Sequence, residues 1–182
     1  MPKTFFAGVL SVLAIGTAVS TVFAGQEPKT PQDLVGRDAP SVKLKTLEDG
    51  DFDLATHKGK EYVVLDFWAT WCPWCRESTE GFLELKKQYE SRGVRFYIVS
   101  VGEEAETVRG YAKRHDVKAP FVLDADGKLA SEYAVNYIPH VVLIDKEGKV
   151  KMVAAGGDVV HKDLRGELQR LFPDKESVTP EV

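Results

Sequence analysis

Cys72 and Cys75 are the only cysteines in the 182-residue chain, and they fall in the run Trp71-Cys72-Pro73-Trp74-Cys75. Three kinds of chemistry use such a pair. A structural disulfide stabilises chiefly by closing a long loop, and this loop is nearly the shortest that can close. A zinc site needs further ligands, yet there is no third cysteine, and His57, His115, His140 and His161 show no paired-ligand spacing. A redox pair needs one readily ionised sulfur and a second within bonding reach. The run meets that need if it opens a helix. Cys72 then lies at the helix N-terminus, where unpaired N–H groups and the helix dipole favour a thiolate. Cys75, one turn in, is close enough to bond Cys72 and less accessible. The placement favours redox use, with zinc and structural roles as the weaker alternatives.

The flanking segments supply such a frame. Residues 62–68 (YVVLDFW) form an apolar, β-branched and aromatic run, which predicts a central buried strand. From Pro73 to Arg92 the residues Phe82, Leu85 and Tyr89 recur at helical spacing, and Gly93 is a stop. Residues 94–101 predict a second buried strand, and Val108, Tyr111, Ala112 and His115 a second amphipathic helix. Residues 121–123 read as a short strand, 128–133 as a short helix, and 141–155 as a hairpin turning at 145–148. Leu164, Leu168 and Leu171 mark a closing helix. Ahead of all these, residues 41–46 and 52–54 predict a hairpin around Glu48-Asp49-Gly50. The order predicts an α/β fold: a central mixed sheet with helices on both faces.

Composition sets the limits. With 43% hydrophobic and 29% charged residues the chain is ordinary globular material of one domain, neither collagen-like nor disordered. A net charge of −4 without a basic run gives nucleic acid nothing to hold. Residues 5–24 carry no charge, follow Lys3 and end in Val22-Phe23-Ala24. This is the pattern of a cleavable secretory signal, with an uncleaved N-terminal anchor as the alternative, and either exports the domain. Residues 25–35 read as a linker, 36–172 as the domain and 173–182 as a loose acidic tail.

From Gly36 to Phe172 the chain resembles the thioredoxin superfamily, and within it the TlpA/ResA-like exported thiol–disulfide oxidoreductases. The likeness is carried by Gly36-Arg37-Asp38-Ala39-Pro40, by residues 64–76 (VLDFWATWCPWCR) and by Tyr137-Ile138-Pro139 before a hairpin. A strand and helix between Pro120 and Tyr133 match the βα insertion of that subfamily. The resemblance implies that Cys72 is the nucleophile, Cys75 the resolving thiol and Pro139 a cis-proline facing them. The subfamily often has a buried glutamate three residues after the second cysteine. Here that position is Ser78, with Glu77 one place off, and Glu80 replaces a helix-kinking proline. Asp66, six residues before Cys72, stands where ordinary thioredoxins keep a buried acid. Peroxiredoxins share the fold, but their threonine three residues before the reactive cysteine is Ala69 here, and Thr70 is out of register.

Other residues are candidates on their own chemistry. Asp66 shares a strand face with Val64 and Trp68, an apolar setting that raises a carboxyl pKa. His140, next to Pro139, is expected either near the sulfurs, where its protonated ring would stabilise a thiolate, or in a packing role. Trp71, Pro73, Trp74, Ile138 and His140 are the expected substrate contacts, and Trp68 is expected in the core. His57, His115 and His161 are expected at the surface. The implied activity is reduction of protein disulfides by exchange, with no cofactor beyond the cysteine pair and with a membrane thiol donor that recharges it. Cytochrome c maturation is the setting the resemblance suggests. A disulfide-introducing oxidase and a metal-carrying or binding module are the alternatives.

Overall fold

A computed structural model describes residues 30–157 and 160–173. The leader and nearly all of the tail lie outside the described residues. A seven-stranded mixed sheet has the order β2-β1-β5-β4-β3-β6-β7. Its strands are β1 (Leu44–Thr46), β2 (Asp51–Phe52), β3 (Tyr62–Trp68), β4 (Val94–Val101), β5 (Phe121–Asp124), β6 (His140–Ile144) and β7 (Val150–Ala155). β3, β4 and β5 run parallel, whereas β6, β7 and the β1–β2 hairpin pair antiparallel. β3 lies between β4 and β6, so both of its backbone edges are hydrogen-bonded and both faces are buried. The continuous apolar run of residues 62–68 has that cause.

Among the described residues the α-helices are α1 (Pro73–Tyr89), α2 (Ala105–Arg114), α3 (Lys128–Glu132) and α4 (Val160–Leu171). One sheet face carries Val64, Trp68, Phe96 and Ile98 against Phe82 and Leu85 of α1, Tyr111 of α2, and Leu164 and Leu168 of α4. The opposite face carries Leu65, Phe67, Val99 and Val142 beneath Leu129 of α3, Tyr133, Leu54 and Leu34. Each fully buried large side chain of this kind contributes about 1.5–3 kcal/mol. The fold is α/β with helices on both faces, the second covered among the described residues by the five-residue α3 and by the 3-10 turns that carry Leu34 and Leu54.

Local differences from the sequence reading have local causes. The return strand ends at Phe52, because the Asp53 side chain accepts a hydrogen bond from Ala55 N and starts a 3-10 turn over Leu54–His57. α1 stops at Tyr89, its last turn tightens over Glu90–Arg92, and Gly93 ends it at φ 88°. Part of the expected linker is docked: Pro31–Leu34 form a turn, and Leu34 is buried in the second core cluster.

Candidate active site

α1 begins at the cysteine pair. Pro73 occupies its first turn, where its fixed φ suits a helix and its missing N–H leaves nothing unpaired. Cys72 is the N-cap, and its Sγ accepts from Cys75 N at 3.1 Å. The two sulfurs are bonded, with Cα atoms 5.3 Å apart. Thr79 Oγ1 and Ser78 Oγ both donate to Cys75 O, at 2.8 and 3.1 Å. Ser78 therefore spends its hydroxyl on the helix backbone and offers no proton acceptor.

The sulfur expected to be exposed is largely covered. Cys72 is only 3% exposed, and its Sγ lies 3.8 Å from the carbonyl oxygen of Ile138, on the loop that leads through the cis bond into Pro139. Cys75 is wholly buried. The exposed apolar surface lies beside them, with Trp71 at 67%, Trp74 at 56% and Tyr137 at 60%. Pro73 is exposed and Ile138 half-buried. Trp74 lies across Gly157, whose added β-carbon would stand 3.3 Å from the indole.

Asp66 sits in the middle of β3, opposite Ile98 and Val141, on the face that also carries Val64, Trp68 and the cysteines. It is 0% exposed, and among the described residues neither carboxylate oxygen has a hydrogen-bond partner. Burial pushes its carboxyl pKa up, opposed in part by His161. His161 Nε2 lies 3.5 Å from Asp66 Oδ2, long for a hydrogen bond but close for opposite charges.

His140 takes the packing alternative, and the surface placement expected for His57 and His161 is corrected. His140 pairs with Phe67 in the ladder and presents its ring to Phe67 and Tyr137, on the sheet face away from Asp66. Burial pushes its pKa down to about 4, so the ring is neutral at pH 7 and supplies no charge to a thiolate. His161, expected at the surface, is largely buried against Asp66 because α4 packs that side inward. His57 is half-buried as well, between Glu61 at 2.9 Å and Tyr97 at 3.1 Å, while His115 is exposed and stacked on Tyr111. Trp68 is in the core, edge-on to Tyr111 and Phe121.

Glu103 was not singled out in the sequence. Its buried carboxylate accepts from Thr70 N and Ser100 Oγ, both at 2.9 Å, and from Thr70 Oγ1 at 2.5 Å. It fixes the turn that delivers Trp71 and Cys72 to α1. Its position just past the end of β4 was the available signal, since sites in open α/β sheets gather at the carboxyl ends of strands. Thr70 is committed to this glutamate. Among the described residues no group of three or more His, Cys, Asp or Glu is placed to hold a metal ion. A depression of about 850 Å³ lies at the β1–β2 edge between Lys43, Phe52, Thr56 and Asp126, and contains neither cysteine.

A thioredoxin fold with a Cys-Pro-Trp-Cys disulfide at the head of α1 defines a thiol–disulfide oxidoreductase. The model of the AhpC/TSA family matches residues 35–153. The thiol-disulfide oxidoreductase ResA of Bacillus subtilis is 37% identical over 152 residues, covering 82% of each chain. ResA of Geobacillus thermodenitrificans is 32% identical over 165 residues, covering 91% of this chain and 94% of its own. Among solved structures, a putative thiol:disulfide interchange protein DsbE from Chlorobium tepidum is 25% identical with a TM-score of 0.67, over 73% of this chain and 94% of its own. StoA from Bacillus subtilis is 25% identical with a TM-score of 0.60, over 70% and 96%. The chain belongs to the AhpC/TSA family, among its ResA-like thiol–disulfide oxidoreductases.

Proposed function

We propose that the protein is an exported reductase of protein disulfides. The reading is carried by the asymmetry of the pair: Cys72 caps α1 beside an exposed apolar rim, and Cys75 is fully buried behind it. In the reduced protein the Cys72 thiolate attacks one sulfur of a substrate disulfide. That S–S bond breaks, the departing sulfur takes a proton, and a mixed disulfide remains. Cys75 then gives its proton to the Asp66 carboxylate, through one water, and its thiolate attacks Cys72 Sγ. The Cys72–substrate bond breaks, the second substrate thiol leaves, and two electrons have passed from the pair to the substrate. Trp71, Pro73, Trp74, Tyr137 and Ile138 form the docking surface, and Pro139 holds the loop against Cys72.

The electrons reside in the cysteines, so no cofactor enters the cycle. With no third cysteine for an internal relay, recharging falls to an outside dithiol, a membrane thiol carrier in this reading, and cytochrome c apoprotein is the substrate pool to try first. Residues 1–24 serve as the export signal. Among the described residues no helix is long and apolar enough to cross a membrane.

Reduction rather than oxidation is favoured because no side-chain cation stands between the two cysteines to add to the helix terminus in stabilising the thiolate. Pro73 and Trp74 carry no charge, and His140 is neutral. The potential, measured by equilibration with glutathione, is expected nearer the roughly −270 mV of thioredoxin than the roughly −120 mV of DsbA. A value at the oxidising end would overturn the reductase.

A further inference from the structure

Asp66 is enclosed, and a base so enclosed must lose each accepted proton before it can act again. His161 is placed to provide the way out. Its side chain is 11% exposed, and its two ring nitrogens have different surroundings. Nε2 is buried, 3.5 Å from Asp66 Oδ2. Nδ1 lies toward Gly81, 3.6 Å from where a β-carbon on that residue would stand. Gly81 and His161 are both walls of a cleft of about 160 Å³ between α1 and the start of α4, completed by Trp74, Glu77, Ser78 and Gly157. An imidazole can accept a proton at one nitrogen while releasing one from the other.

We infer that His161 is the port through which Asp66 exchanges its proton with solvent, Nε2 taking it from the carboxyl and Nδ1 releasing one to water in the cleft beside Gly81. The inference rests on the reading of Asp66 as the base for Cys75. No electrons move: the carboxyl O–H bond breaks, the Nε2–H bond forms, and the Nδ1 proton leaves. The ring is left as its other tautomer, and it is reset when the side chain swings Nε2 into the cleft, where Nε2 gives its proton to water as Nδ1 takes one up. One further titratable group lines the cleft. From α1 the cleft receives Glu77, while Glu84 faces Arg165 of α4 at 3.5 Å. Lys162 and Asp163 of α4 are exposed, and β6 and β7 contribute Val141, Leu143, Met152 and Ala154 to this side. His161 touches no reacting sulfur and is a positioning residue.

The test is a pH jump on the reduced full-length domain. Protein equilibrated at a pH acidic enough to protonate Asp66 is mixed into neutral buffer with a disulfide substrate, and oxidation of the pair is followed by tryptophan fluorescence. Wild type is expected to react without a lag. His161→Ala and the bulkier His161→Gln are expected to show a lag lengthened at least about tenfold. Free imidazole, which fits the space left in His161→Ala, is expected to shorten that lag in proportion to its concentration. Absence of a lag in both variants overturns the inference, as does a lag that imidazole leaves unchanged. Asp66→Asn is run alongside: if it resolves mixed disulfides as fast as wild type, the reading of Asp66 fails, and the port with it. If it is slow while the His161 variants are normal, only the port fails.

Discussion

At the scale of single residues, the pair divides labour by place in α1, Cys72 as its N-cap beside the exposed rim and Cys75 one turn in. Cys72 meets the outside at one edge and Cys75 not at all. Cys75→Ser is therefore expected to accumulate mixed disulfides that Cys72→Ser does not, read on a non-reducing gel, and a reversed result would exchange the two roles. Asp66 lies one step behind. Asp66→Asn keeps the shape and removes the base, so it is expected to slow resolution at least about tenfold while leaving the first attack unchanged in stopped-flow traces. The same substitution bears on stability. Burial raises the carboxyl pKa above its usual 3.8, so the folded state holds the proton more tightly than the unfolded chain. The charged form is the costly one, and stability is lost as pH rises from 3.8 through the folded value. Asp66→Asn is thus expected to raise stability at neutral pH by about 1–3 kcal/mol in urea unfolding, with the gain vanishing in acid.

At the scale of elements, the site depends on one turn held from a distance. The segment between β3 and α1 is tied to the end of β4 by two hydrogen bonds from Thr70 to the Glu103 carboxylate, which Ser100 of β4 holds with a third. Glu103→Ala would leave Thr70 N and the buried Ser100 hydroxyl without their acceptor, an expected loss of about 1–3 kcal/mol. Because that turn sets where Cys72 stands, exchange is expected to slow by about tenfold or more even in molecules that remain folded. Glu103→Gln, which keeps one amide oxygen as acceptor, is expected to recover part of both losses. Equal stability in Glu103→Ala and wild type would show that the turn holds without the glutamate.

At the scale of the whole molecule, two buried titratable groups oppose each other in acid. His140 has a folded pKa of about 4 against an ordinary 6.5, so the unfolded chain takes up its proton first. Stability from this group is full above pH 6.5 and is lost as pH falls toward about 4, while Asp66 becomes less costly over the same direction. Among the described residues neither ring nitrogen of His140 has a partner, so an apolar side chain of similar size removes both penalties. His140→Leu is expected to stabilise the protein at neutral pH and to move the acid-unfolding midpoint lower, followed by circular dichroism. An unchanged midpoint would mean that the folded state protonates His140 at its ordinary pH. A reduction potential unchanged from wild type in this variant would also show that His140 contributes no charge to the pair.

What the sequence determined alone was whatever rests on short-range periodicity and caps. The apolar run of residues 62–68, the helical spacing of Phe82, Leu85 and Tyr89, and Pro73 beside the cysteines place a redox pair between a buried strand and a helix N-terminus. Even the alternation along β3 put Asp66 on the apolar side. Contacts between distant segments were decided only by tertiary packing. His161 stands three residues before Leu164 and seven before Leu168, so its inward direction was legible from helical spacing. That it meets Asp66 depends on α4 packing beside α1 over the same sheet face. The covering of Cys72 by the Ile138 carbonyl and the grip of Glu103 on Thr70 likewise join residues 66 and 33 positions apart. Periodicity records which side of an element is apolar. It does not record which buried polar groups meet when several such sides close on one sheet, because that depends on the packing of all the elements at once.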